Sequence, residues 1–105
     1  MIRVVVSARI RVEHREGFEA AFGEVRQRMA GTPGLVRDEL LEDQIEPGRY
    51  LLVGEWESRE AFLEWEDDPG HREVSAPMRP FWRDAEVERR IFEVRVGEPR
   101  GVGSG

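Results

Sequence analysis

The sequence predicts an α+β domain of the ferredoxin-like arrangement, a four-stranded antiparallel sheet with helices packed on one face. Three observations lead there. Four segments alternate apolar and polar residues at a period of two, and the stretches between the first and second and between the third and fourth carry apolar residues at helical spacing. The resulting order, strand, helix, strand, strand, helix pair, strand, allows every connection to be short. At 105 residues the chain has the length of one domain. That domain is assigned to residues 1–96, and residues 97–105, rich in glycine and without periodicity, read as a disordered tail.

From residue 2 to 13, Ile2, Val4, Val6, Ala8, Ile10 and Val12 alternate with Arg3, Val5, Ser7, Arg9 and Arg11, which predicts a long strand with one apolar face. Residues 15–31 place Phe18, Ala21, Phe22, Val25 and Met29 on one helical stripe. Gly31 suits the C-cap, and Thr32-Pro33-Gly34 ends the helix. Residues 35–45 form the second strand, and Glu46-Pro47-Gly48-Arg49 is a turn short enough only for a hairpin into the third. In that third strand, residues 49–57, Tyr50, Leu52, Gly54 and Trp56 point one way and Leu51, Val53, Glu55 and Glu57 the other.

Ser58 is the predicted N-cap of the next helix, with Glu60 in its first turn and Phe62, Leu63, Trp65 and Glu66 following. Asp68-Pro69 reads as a second N-cap with proline at the first helical position, opening a short helix through His71, Val74 and Ser75 that Pro77 and Pro80 are expected to stop. Residues 85–96 alternate once more, with Val87, Arg89 and Ile91 against Glu88, Arg90, Phe92 and Val94. Helices on one side leave the other face of the sheet open. Val5, Leu35 or Val36, and members of the Leu51 and Val53 set belong there, so a second copy is expected to cover it through a two-fold interface.

Composition removes several function classes. A net charge of −6 disfavours nucleic acid and anionic membrane surfaces, because every arginine has acidic neighbours. The longest apolar runs are Val4–Val6 and Leu51–Val53, far short of a membrane span, and no secretory pattern opens the chain, so a cytoplasmic location is expected. Without cysteine there is no thiolate nucleophile or thiolate metal site, and without lysine no Schiff base. His14 and His71 lack metal-ligand spacing, and Glu64, Glu66, Asp67 and Asp68 read as a solvated face, so no metal is expected. Glycine-rich phosphate loops are missing as well, leaving flavin and nicotinamide unsupported.

The chemistry-bearing residues concentrate between Tyr50 and Trp82, a run that holds all three tryptophans. Trp56, Phe62, Trp65, His71, Met78, Phe81 and Trp82, with Phe22 and Leu52 from neighbouring elements, suit a slot for a flat aromatic ligand. The same rings at helical spacing also suit a filled core. Arg37, Arg79 and Arg83 are candidates for the polar edge of a ligand. His71 is the candidate general base, since an imidazole titrates near neutrality, while His14 lies among charges and reads as solvated.

Gly54-Glu55-Trp56-Glu57-Ser58, Glu60-Ala61-Phe62, Trp65 and Asp68-Pro69-Gly70-His71-Arg72, together with Pro33-Gly34-Leu35, resemble the antibiotic biosynthesis monooxygenase family over residues 2–96. The resemblance implies a homodimeric α+β barrel. It also implies a cofactor-independent monooxygenase acting on an aromatic polyketide-type substrate, such as an anthrone or naphthol. The alternative is an accessory protein of such a pathway that binds a nascent aromatic intermediate without oxidising it. In the anthrone oxygenases a strand tryptophan corresponds to Trp56, whereas their asparagine four residues earlier is Leu52 here, their helix tyrosine is Phe62, and their arginine falls near Ser75. In the haem-degrading branch the tryptophan corresponds to Trp65, but the iron-binding histidine ten residues on is Ser75, so no cofactor is expected.

Overall fold

The computed structural model describes residues 1–82 and 87–97. Arg83, the predicted strand start at Ala85 and the tail from Glu98 onward lie outside the described residues. Strands β1 (Ile2–Arg9), β2 (Leu35–Glu42), β3 (Arg49–Trp56) and β4 (Val87–Glu93) form one sheet in the order β2-β3-β1-β4, antiparallel throughout. Helix α1 (Arg15–Arg28) connects β1 to β2; α2 (Arg59–Asp67), α3 (His71–Ser75) and α4 (Arg79–Trp82) follow β3. This is the predicted ferredoxin-like arrangement, and the helices cover one face of the sheet.

Several element ends differ from the sequence reading. β1 stops at Arg9 rather than near Glu13, because the Ile10 N–H donates to the Gly48 carbonyl at 2.7 Å instead of to a strand, and Val12–His14 tightens into a 3₁₀ turn leading to α1. β2 stops at Glu42, before Ile45, because Asp43 Oδ1 accepts the N–H groups of Ile45 and Glu46 at 2.7 and 3.0 Å. A carboxylate that satisfies two successive amides holds the chain in a turn, so the connection to β3 runs from residue 43 to 48. Gly48 closes it at φ +91°, where a Cβ would collide with the Ile10 carbonyl.

Ser58 caps α2 as expected, accepting the Ala61 N–H at 3.1 Å, an interaction that contributes about 1 kcal/mol. Asp68 does not cap α3. Its Oδ1 accepts the Gly70 N–H at 2.7 Å in a local turn, and Gly70 is the cap residue. Helix α3 ends at Ser75, ahead of Pro77, as expected, but the helical path resumes at each proline. Ala76–Met78 forms a 3₁₀ turn between α3 and α4, so each proline falls in the opening turn of a new short piece, where no intrahelical N–H is required of it.

The core lies between α1 and the covered face of the sheet. Phe18, Ala21 and Val25 of α1 and Met29 at its C-cap meet Ile2, Val4 and Ala8 of β1, Tyr50 and Trp56 of β3, and Phe62 and Met78. Of the two residues expected as alternatives on the open face, Leu35 pairs with Trp56 and therefore lies on the helix side. The irregularity between Leu35 and Arg37 is what turns it, and Val36 is left 50% exposed.

Candidate active site

Directly opposed residues on antiparallel strands share a face, so the register divides the helix-covered side into four rows across the sheet. The row Leu35, Trp56, Ile2 and Glu93 is followed by Asp38, Gly54, Val4 and Ile91, then Leu40, Leu52, Val6 and Arg89, then Glu42, Tyr50, Ala8 and Val87. Burial along β1 and β3 is not uniform. Trp56 and Ile2 are 2% and 7% exposed and Tyr50 and Ala8 are 1% and 2% exposed, whereas Leu52 and Val6 between them are only half-buried, as is Leu40. The third row is therefore a partly open apolar trough.

Two separate groups of rings flank it. On one side Trp56 lies 5.4 Å from Phe62 and 5.6 Å from Trp65, and Trp65 is 4.1 Å from His71 in an edge-on contact. On the other, Phe18 lies 4.9 Å from Tyr50, 5.8 Å from Phe81 and 6.0 Å from Trp82. The aromatic residues predicted to form one cluster thus form two, because β3 carries Tyr50 and Trp56 at opposite ends of its inward face. Trp56 can lie back along its own strand because Gly54 has no side chain: a Cβ there would sit 3.0 Å from the indole Nε1.

Among the nominated residues, Trp56, Phe62 and Met78 are core side chains at 2%, 3% and 1% exposure. Phe22, Leu52, Trp65, Phe81 and Trp82 are half-buried and pack against that core. Arg79 is exposed, and its guanidinium donates to the Arg72 carbonyl at 2.6 Å, which ties α4 to α3. Arg37 lies on the opposite face of the sheet, paired with Glu55 in register. A cleft of about 580 Å³ opens elsewhere, at the end of β1 and β4, lined by Ser7, Ala8, Arg9, Arg49, Val87 and Glu88. None of the nominated residues lines it.

His71 has the most reactive setting. Its Nδ1 is buried and has no hydrogen-bond partner among the described residues. Burial holds its pKa below the ordinary 6.5, with the Glu66 carboxylate acting in the opposite direction. The imidazole is accordingly neutral at pH 7, and in the Nε2–H tautomer Nδ1 presents a lone pair. Tyr50, by contrast, is held as a neutral phenol: burial and donation to Glu19 Oε2 at 2.7 Å push its pKa well above 10. Among the described residues no cluster of His, Asp and Glu suited to a metal ion occurs, and no helix is long and apolar enough to cross a membrane. Ser75, at the haem-ligand position of the resemblance, donates its hydroxyl to the His71 carbonyl at 2.9 Å.

Sequence reasoning overlooked Arg89 and Glu66 as a pair. Arg89 Nε and Nη2 reach the two Glu66 carboxylate oxygens at 3.0 Å each, and the guanidinium stands 5.6 Å from the Phe62 ring centroid. The signal was available, since Arg89 falls between Val87 and Ile91 on the inward side of the alternation.

A ferredoxin-like domain whose half-buried apolar row runs between two groups of rings has the kind of apolar lining that suits a small-molecule site. The chain belongs to the antibiotic biosynthesis monooxygenase family, whose pattern matches residues 1–76. It is 32% identical over 101 residues to protein SchA of Streptomyces halstedii, covering 91% of this chain and 27% of SchA. It is also 32% identical over 83 residues to the 42.8 kDa protein in the whiE locus of Streptomyces coelicolor, covering 79% of this chain and 21% of that one. The chain thus spans about a quarter of the length of these curated relatives. Among solved structures, SnoaB, a cofactor-independent oxygenase from Streptomyces nogalater, superposes with a TM-score of 0.76 at 23% identity, covering 94% of this chain and 97% of SnoaB. The haem degrader MhuD from Mycobacterium tuberculosis gives 0.76 at 21% identity, covering 94% and 100%. At these identities the two structures establish the fold alone.

Proposed function

We propose that the chain is a cofactor-independent monooxygenase of aromatic polyketide metabolism, acting in the cytoplasm on an anthrone- or naphthol-like substrate. The observation that carries this reading is the half-open Leu40–Leu52–Val6 row between two ring clusters, with a neutral imidazole packed on one of them. Membership of the family, the likeness to SchA and the whiE-locus protein, and the fold shared with SnoaB support it. In the reaction, His71 takes a proton from the acidic ring carbon, and the carbanion so formed reduces dioxygen. Both hydrogens leave that carbon, one oxygen atom enters it as a carbonyl, and the other departs as water. Trp56 supplies the wall and an indole N–H toward developing peroxide charge, and Phe22, Phe62, Trp65, Met78, Phe81 and Trp82 shape the slot.

The uncovered face of the sheet supports a two-fold dimer. Val5, Leu51, Val53, Leu41 and Phe92 share it, with Leu41 and Phe92 42% and 48% exposed, and Arg3 Nη1 is buried there without an acceptor among the described residues. Sedimentation at the mass of two chains is the expected result.

Oxygen uptake on adding 1,8-dihydroxyanthrone to the purified, metal-stripped chain, with the anthraquinone formed in equal amount, tests the oxygenase reading. Tight binding with quenched tryptophan fluorescence but no uptake favours the second reading, a carrier of a nascent aromatic intermediate. The apolar Leu52 and Phe62 at positions facing the substrate speak for that one.

A further inference from the structure

The helix-side face of β4 carries Val87, Arg89, Ile91 and Glu93, of which only Ile91 is half-buried. Arg89 stands between Val87 and Ile91, opposite Val6, and so at the end of the half-buried Leu40–Leu52–Val6 row. Arg89 is exposed, its side chain at 42%, and Glu66, 28% exposed, takes it in a two-pronged contact. Pairs this wet contribute little to stability, so holding α2 against β4 is a weak reason for a charge here.

Its chemistry fits another role better. A guanidinium is a planar fork of donors, always charged, suited to an anionic oxygen on a flat ligand. Phe62 lies beneath it at 5.6 Å, Trp65 follows at 6.1 Å from Phe62, and His71 at 4.1 Å from Trp65. A fixed cation and a neutral base therefore stand at either end of one run of rings, beside an apolar row. Glu66 faces both groups, paired with Arg89 and felt by His71.

We propose that Arg89 is the substrate-anchoring residue, its guanidinium holding the oxygen on which negative charge develops when a hydroxylated fused-ring substrate lies along the Leu40–Leu52–Val6 row. This rests on the oxygenase reading above. The step it serves is the first one. The C–H bond at the reacting carbon breaks, the His71 imidazole takes up the proton as an N–H, and the electron pair passes through the ring to the oxygen. Two neutral partners become an imidazolium and an enolate, which then face Glu66 and Arg89 respectively. Binding energy from the guanidinium is greatest when the oxygen is fully charged, so the anchor favours the ionised form over the neutral one.

The test uses 1,8-dihydroxyanthrone as probe with wild type, Arg89→Gln, Arg89→Lys and Glu66→Gln, measuring binding under nitrogen, oxygen uptake, and the visible absorption of bound enolate at neutral pH. Arg89→Gln is expected to keep the wild-type melting temperature, to raise Kd and KM on the order of tenfold or more, and to weaken the enolate band. Arg89→Lys recovers part of both losses, and Glu66→Gln, which frees the guanidinium from its carboxylate partner, binds the anthrone at least as tightly as wild type. An Arg89→Gln variant with wild-type KM and enolate band, in a wild type that binds and oxidises the anthrone, overturns the anchor alone. So does a Glu66→Gln variant that loses as much affinity as Arg89→Gln, because the ion pair itself is then what matters. A wild type that neither binds nor oxidises the anthrone overturns the oxygenase reading and the anchor with it.

Discussion

Replacing His71 by glutamine is expected to slow oxygen uptake with an anthrone by on the order of a hundredfold to ten-thousandfold, with KM little changed. The imidazole touches Trp65 edge-on, and its Nδ1 is enclosed without a partner, so the site already bears the cost of a lone pair, about 1–3 kcal/mol, that no protein donor satisfies. Burial holds the pKa below 6.5, which gives the expected pH profile its sign: kcat/KM is at its plateau above 6.5 and declines as pH falls through the His71 pKa. The glutamine variant has no such acid limb. Folding stability moves the same way. Between 6.5 and the lower pKa of the folded state, the unfolded chain binds the His71 proton and the folded chain does not. Stability is therefore lost as pH drops across that window, and urea unfolding at a series of pH values should find this slope in wild type and not in His71→Gln.

Trp56→Ala carries the second large effect, a loss of about 3–5 kcal/mol in unfolding free energy. Only 2% of this side chain is exposed, and it touches both Phe62 and Trp65, so truncation empties the joint between β3 and α2 rather than a surface groove. Chemical denaturation monitored by circular dichroism measures the loss. Trp56→Phe retains most of the packing while removing the indole N–H, so it separates the two roles: near-wild-type stability with reduced turnover supports the donor, and unchanged turnover leaves Trp56 as a packing residue only.

Much of this arrangement was legible because period and burial agree. The alternation in residues 2–9, 35–42, 49–56 and 87–93 gave the strands, and the stripe through Phe18, Ala21, Val25 and Met29 gave α1. Ser58 was readable as a cap because its hydroxyl has one obvious amide to satisfy. Features set by a single local competition were not readable. Asp43 ends β2 by binding two amides, and Asp68 spends its carboxylate on Gly70 instead of a helix, outcomes that depend on which nearby N–H groups are free. Pro77 was legible as the end of α3, but the sequence does not reveal that the helical path restarts at Pro77 and again at Pro80. At the site, the residue types were legible but their division into two ring clusters was not, since it follows from the distance along β3 between Tyr50 and Trp56.

The position of Arg89 also has a kinetic consequence. β4 is an outer strand with β1 as its one neighbour in the sheet, and of its seven residues only Ile91 is half-buried. Such an edge unzips more readily than the central pair β1 and β3, so its amides should exchange with deuterium first. A bound anion gripped by Arg89 would tether that edge to the ligand. Slower exchange along residues 87–93 on ligand addition, without change in β1, would then report occupancy of the trough, and the rate at which β4 lets go would set an upper bound on how fast product escapes.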